Sequence, residues 1–143
     1  MAAQDLIRLW EQHVRGEFID KDEDLSLATM TEDASVLHIP SQSGASGKAA
    51  LKPYYRDMFI PSIPDQWQHT TTKRVVTDDT LVEEATVRLV HTRQMDWFLP
   101  GLPPTRKPIE VGLVIIVEYR DGKMAAERIY WDQAAVLRQI GRL

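Results

Sequence analysis

The sequence predicts an α+β fold. Helical periodicity is confined to the first sixty residues, a period of two runs through most of the chain after Trp67, and helices and strands are segregated rather than alternating. Long strands that follow about three helices predict a curved antiparallel sheet wrapped over those helices, with a pocket on its concave face. The 143 residues fit one domain, residues 1–143, and a hydrophobic content of 43% is enough to fill its core.

Residues 4–19 form the first predicted helix. Leu6, Leu9, Trp10, His13 and Val14 recur at helical spacing, Arg8, Glu11, Gln12 and Arg15 occupy the other side, and Gly16 weakens the end. A short second helix over 22–30 has Asp22 as its cap. Residues 35–40 read as a strand stopped by Pro40, and 41–47 as a small polar loop. A third helix follows over 48–59, with Leu51, Tyr55, Met58 and Phe59 on one side and Pro53 in its early turns. After a connector over 60–65, strands are expected at 67–77, 81–97, 110–119 and 124–132. Asp78-Asp79-Thr80 and Asp121-Gly122 supply turns, and Pro100–Pro104 a loop.

Composition excludes several classes of function. Lysines and arginines are scattered under a net charge of -4, which argues against nucleic acid. No cysteine is present, so thiol catalysis and disulfides are out, and a reducing cytoplasm is the expected location. The longest apolar run, Val111–Val117, is far short of the roughly 20 residues a membrane helix needs, and the N-terminus carries no signal-peptide pattern. The four histidines lack the close spacing of a metal cluster, so no metal is expected. Ser43–Lys48 departs from the spacing of a phosphate-binding loop, and no Gly-x-Ser-x-Gly elbow occurs.

The chemistry-bearing residues concentrate near the C-terminus. In Glu127–Asp132, Arg128, Tyr130 and Asp132 share one strand face, and Glu127, Ile129 and Trp131 the other. An aspartate facing an apolar cavity would have a raised pKa and serve as acid or base. The alternative is that Asp132 caps the segment Gln133–Ile140 through backbone N–H groups. Tyr130 would donate to a substrate oxygen or fill core space. His91 lies with the apolar parity of its strand and would exchange a proton with substrate or with Asp132, unless it is a satisfied core residue. His13 sits on the apolar face of the first helix beside Trp10, His38 has an undecided face, and His69 among threonines reads as a surface residue. Glu83-Glu84 and Asp78-Asp79 read as solvated charges near a turn.

The order helix-helix-strand-helix-meander resembles the nuclear transport factor 2-like superfamily. The segments Met95–Thr105, Asp121-Gly122-Lys123, Glu127–Ala134 and Leu137–Gly141 resemble its SnoaL-like branch. The resemblance implies a cone fold and cofactor-independent acid–base chemistry, isomerisation or aldol-type cyclisation, on a small apolar carbonyl compound such as a polyketide or terpenoid intermediate. It implies Asp132 as the key carboxylate and His91 as its partner. The tyrosine that isomerases carry on the first helix has no match, since Trp10 and His13 occupy that region, and Arg93 with Asp96 only loosely echoes the epoxide hydrolases.

The expected catalytic set is therefore Asp132, His91 and Tyr130. Substrate-binding residues would be Trp10, His13, His38, Tyr55, Met58, Trp97 and Arg128, with Trp131 also shaping the cavity. The rival reading is a non-catalytic small-molecule-binding or dimerisation module, whose second copy would cover an apolar outer parity within 109–117. Epoxide or ester hydrolysis would need a water held between Asp132 and Asp96 or Glu84.

Overall fold

In a computed structural model, which describes residues 2–143, the element order is α1 (Ala3–Phe18), α2 (Glu23–Leu27), β1 (Met30–His38), β2 (Ser43–Ser46), α3 (Lys48–Pro53), β3 (Trp67–Val76), β4 (Thr80–Val90), β5 (Pro108–Arg120), β6 (Lys123–Trp131) and α4 (Gln133–Gln139). After Pro53 the third helix widens into a π-helical turn over Tyr54–Phe59 and tightens into a 3-10 turn over Ile60–Ser62. The fold is the predicted α+β cone, a curved and unclosed six-stranded sheet in the order β2-β1-β6-β5-β4-β3. Neighbours are antiparallel except β1 and β6, which run parallel.

Alternation explains the sheet. On β4, Leu81, Glu83, Ala85, Val87 and Leu89 face inward; on β5, Ile109, Val111, Leu113, Ile115, Val117 and Tyr119 do. The β5–β6 hairpin closes through Asp121 and Gly122, both with positive φ, a type I′ geometry that matches the strand twist. Helix α1 lies across the concave face with Leu6, Trp10, His13 and Glu17 buried at helical spacing. Tyr119 Oη donates to the carbonyl of Leu6 at 2.9 Å, tying β5 to the helix. Gly16 is where α1 meets α2: a Cβ there would stand 2.4 Å from Ser26 Oγ, so only glycine allows the approach.

Several boundaries differ from the sequence reading. The loop 41–47 contains the edge strand β2, paired with β1 from Ser35↔Ser46 to His38↔Ser43. The strand expected over 81–97 ends at Val90, and Met95–Leu99 form a buried turn in which Leu99 N–H donates to the carbonyl of Met95. β1 begins at Met30, so the second helix stops at Leu27. The apolar parity of residues 109–117 faces the core; the outer positions are Glu110, Gly112, Val114 and Ile116. Among the described residues no helix is long and apolar enough to cross a membrane.

Candidate functional site

A small cavity lies between α1 and the concave sheet face. Its walls are mainly apolar and aromatic: Trp10, Val14 and Phe18 from α1, Tyr55 and Phe59 from the π-turn, Trp97 and Phe98 from the buried turn, and Val111, Leu113, Ile115 and Ile129 from the sheet. Four polar side chains reach it: Glu17, His38, His69 and Glu127. The enclosed space is about 50 Å³, room for a few waters. It adjoins a vestibule of about 480 Å³ lined by Ile19, Lys21, Ile63, Pro64 and Asp65, and both spaces are bordered by Val14, Phe18, Trp67 and His69. Phe18 and Trp67 stack with centroids 5.2 Å apart.

The chemically dense spot is the buried group formed by His13, Glu17, Tyr55 and Glu127. Position 17 is four residues after 13 on α1, and Glu127 is one of the inward residues of β6. His13 Nδ1 points at Thr29 Oγ1 (3.0 Å) and the Ser26 carbonyl (3.2 Å). Thr29 already donates its own proton to Ser26, so Nδ1 must carry hydrogen. That leaves Nε2 toward Glu127 Oε1 at 3.2 Å, Tyr55 Oη at 3.3 Å and Glu17 Oε2 at 3.4 Å.

Burial alone would lower the His13 pKa, but Glu17 and Glu127 together override it and raise it to about 10. His13 is therefore an imidazolium held between two carboxyl groups. Burial drives the Glu17 carboxyl upward, against the pull of His13. Burial also pushes the Tyr55 hydroxyl well up, which keeps it a donor. Glu127 Oε1 is buried, and its polar neighbour is His13 Nε2, an ion-pair contact without an aligned hydrogen bond. A buried carboxylate held by one cation and no aligned N–H keeps acceptor capacity that a ligand can use.

Two further clusters flank this one. His38 is driven down to about 4 by burial and stays neutral; its Nδ1 meets the Ser43 carbonyl (3.1 Å) and Tyr54 Oη (3.0 Å). On the other side, Glu83 is buried under Arg74, Trp10 and His69. Burial opposes its charge, but the hydrogen bonds from His69 and Arg74 win and hold it at about 2.

The expected catalytic set lies elsewhere. Asp132 is exposed and caps α4, Oδ1 accepting from Ala135 N–H at 3.1 Å. Tyr130 is 37% exposed on the outer sheet face, and Arg128 on that face pairs with Glu118 at 2.7 Å. The alternation along β6 is as predicted, but the inward set is Glu127, Ile129 and Trp131. Parity sorts a strand into two faces without saying which is inside, and here the more apolar set took the interior. His91 is fully buried outside the cavity: its Nδ1 accepts from Thr105 N–H (3.1 Å), and burial lowers its pKa. Met58 is 41% exposed and does not line the cavity. Trp10, His38, Tyr55 and Trp97 do line it, with His13 directly behind. Glu83, which reads as a solvated charge in the sequence, is buried, and His69, which reads as a surface residue, borders the cavity; Glu17 is signalled only by standing four residues from His13, and Glu127 by sharing parity with Ile129 and Trp131.

A larger groove of about 830 Å³ lies where the start of β3 meets the end of β4 and the start of β5, and its charged groups are paired, Arg88 with Glu110 at 3.0 Å and Asp65 with Arg93 at 3.0 Å. Among the described residues no group of three or more His, Cys, Asp or Glu is arranged to hold a metal ion.

A family model described as SnoaL-like polyketide cyclase matches residues 12–140. No curated protein matches the chain. Among solved structures, TsrD from Streptomyces laurentii superposes with a TM-score of 0.74 at 20% identity, covering 100% of this chain and 99% of that one. An LEH-like epoxide hydrolase from M. tuberculosis gives 0.70 at 15% identity over 98% and 92%. TerC, co-crystallised with polyporic acid, gives 0.67 at 18% over 96% and 98%. At these identities the likeness is one of fold.

Proposed function

The chain belongs to the family of SnoaL-like polyketide cyclases, and on that footing we propose that it carries out cofactor-independent acid–base chemistry on a small, mostly apolar carbonyl compound. The reaction is isomerisation or aldol-type cyclisation of a polyketide- or terpenoid-like intermediate. The observation that carries the reading is the Glu127 carboxylate, buried in an aromatic-walled cavity and facing the His13 ring at 3.2 Å without an aligned hydrogen bond.

Glu127 is the base in this reading. It removes a proton from the carbon next to a carbonyl, and the electron pair moves onto the carbonyl oxygen. The Tyr55 hydroxyl is the available donor for that enolate oxygen. His13 is a positioning residue that holds both carboxyl groups and offsets the charge that accumulates. Returning the proton to a different carbon completes an isomerisation; attack of the enolate carbon on a second carbonyl closes a ring. General acid–base help of this kind contributes about 10²–10⁴-fold. At about 50 Å³ the cavity is too small for such a compound, so Phe18 and Trp67 must part to join it to the vestibule.

The test needs no native substrate. An aromatic β-diketone or 2-tetralone in D₂O is followed by NMR for protein-dependent deuterium exchange at the α-carbon. Exchange by the wild type that disappears in Glu127→Gln supports the reading; absence of exchange across such a panel removes it.

The rival is a non-catalytic binding module of the same fold, favoured by the contracted cavity. It predicts ligand-induced quenching of tryptophan fluorescence without exchange. In either case a second copy is proposed to cover the outer sheet face, where Val82, Val114, Ile116 and Tyr130 are the apolar residues.

A further inference from the structure

We propose that His69, held by Glu83, is a second proton-transfer station at the cavity mouth, and that it protonates the carbonyl oxygen that becomes an alkoxide when the ring closes. The inference deepens the acid–base reading and rests on it.

The station is built by a β-bulge. Between Thr71 and Lys73 the β3–β4 register slips by one residue, from Thr71↔Ala85 to Lys73↔Glu84. Odd-numbered Trp67 and His69 therefore share the inward face with even-numbered Arg74, opposite Leu89, Val87 and Glu83. Without the slip, Lys73 would take the place of Arg74 on that face. Bulges of this kind re-aim side chains beside active sites.

Glu83 is 1% exposed. Its Oε1 accepts from Arg74 twice, at 2.6 and 3.1 Å, and from Trp10 Nε1 at 3.4 Å. Its Oε2 pairs with His69 Nε2 at 3.0 Å. A fully ionised acceptor fixes the ring: Nε2 must carry the hydrogen, and Nδ1 is left for other partners.

An ordinary structural pair would account for the 3.0 Å contact but not for its surroundings. Arg74 supplies a full counter-charge to Glu83 through two N–H groups, so the imidazole adds to an ion pair that already exists. The His69 side chain is 24% exposed and borders both the cavity and the vestibule. It therefore lines the same space as Glu127, from a different strand.

Ring closure needs that separation. The base takes a proton from carbon at one end of the substrate, and the new alkoxide forms several atoms away, beyond the reach of the same carboxyl. Protonated His69 gives the Nδ1 proton to the alkoxide and becomes neutral. Glu127 keeps the proton taken from carbon. Water in the vestibule then accepts one proton from Glu127 and returns one to His69, so none is consumed overall.

The experiment is run on the full chain with a linear aromatic triketone able to close a six-membered ring, in D₂O, scoring deuterium exchange and cyclised product together. His69→Gln is expected to lower cyclisation by about 10²-fold and at least ten-fold more than exchange. Equal losses of exchange and cyclisation in His69→Gln, or exchange without any cyclisation in the wild type, would each overturn the assignment. A wild type that exchanges nothing overturns the Glu127 reading, and the His69 station with it.

Discussion

Glu127 Oε1 and His13 Nε2 stand 3.2 Å apart in the interior of the cone, one on the last strand and the other on the first helix. Both side chains are almost wholly excluded from solvent, and their carriers are 114 positions apart in the chain. Closing the fold is what creates the pair, so its behaviour reports on the site and on the fold together.

Removing the Glu127 charge while keeping its volume should abolish the chemistry without unfolding the protein. Glu127→Gln is expected to lower α-carbon exchange by about 10²-fold or more. Exchange by NMR and a thermal melt in parallel check this; an active Glu127→Gln would exclude the residue as base.

Asp132 should matter for stability and not for turnover. Loss of the α4 cap in Asp132→Ala is expected to cost about 1 kcal/mol, with Asp132→Asn restoring most of it. Urea denaturation measures the first effect and the exchange assay the second. A deep loss of exchange in a folded Asp132→Ala protein would return this aspartate to the mechanism.

The pH dependence of stability follows from His13. Its folded pKa of about 10 lies above the unfolded value of 6.5, so folding takes up a proton in between. The stabilisation is complete below pH 6.5 and fades as pH rises through 10, by up to about 1.4 kcal/mol per pH unit for one proton. The raised pKa of Glu17 acts in the same direction from a lower starting pH. His38, depressed to about 4, acts oppositely and only below pH 6.5. Urea midpoints between pH 6.5 and 10 should therefore decline; a flat or rising profile would contradict the charged His13.

Glu83→Ala should be among the most damaging single changes. It strands Arg74 and the Trp10 N–H around a hole, and breaking a buried pair on one side typically costs about 3–5 kcal/mol. Glu83→Gln keeps the volume and the acceptor and should lose less. Chemical denaturation of both variants measures the difference.

The outer sheet face gives a test of assembly. Val114 pairs with Tyr130 across β5 and β6, and each is 37% exposed. If a second copy covers this face, Val114→Lys should convert a dimer to a monomer in light scattering without changing the melt of the monomer. A wild type that is monomeric at high concentration would dismiss the pairing.

Much of the fold was legible because its signals are local. The Leu6/Trp10/His13 spacing marks α1, the Asp121-Gly122 pair marks the hairpin, and the 109–117 alternation marks β5. Elements whose existence depends on partners were harder to read. β2 is four residues of Ser, Gly and Ala that form a strand because β1 offers an edge. The segment after Val90 keeps a strand-like pattern but leaves the sheet at His91, and Trp97 is then anchored by donating to Ser62 Oγ at 2.7 Å.

Residue order alone sets the α+β class, the residue types available for acid–base work, and the division of the last strand into the set with Glu127 and the set with Asp132. Which of those sets looks into the cone is settled by the folded sheet, since a two-residue period is symmetric between the faces of a sheet. Folding also decides which ionisable groups meet. His13 and Glu17 shift each other's proton affinity, with Glu127 adding to the rise at His13, because folding brings both carboxyl groups within about 3.5 Å of the ring in a medium that screens charge poorly. Asp132, one position past the end of the same strand, stays in water and is left to hold a helix.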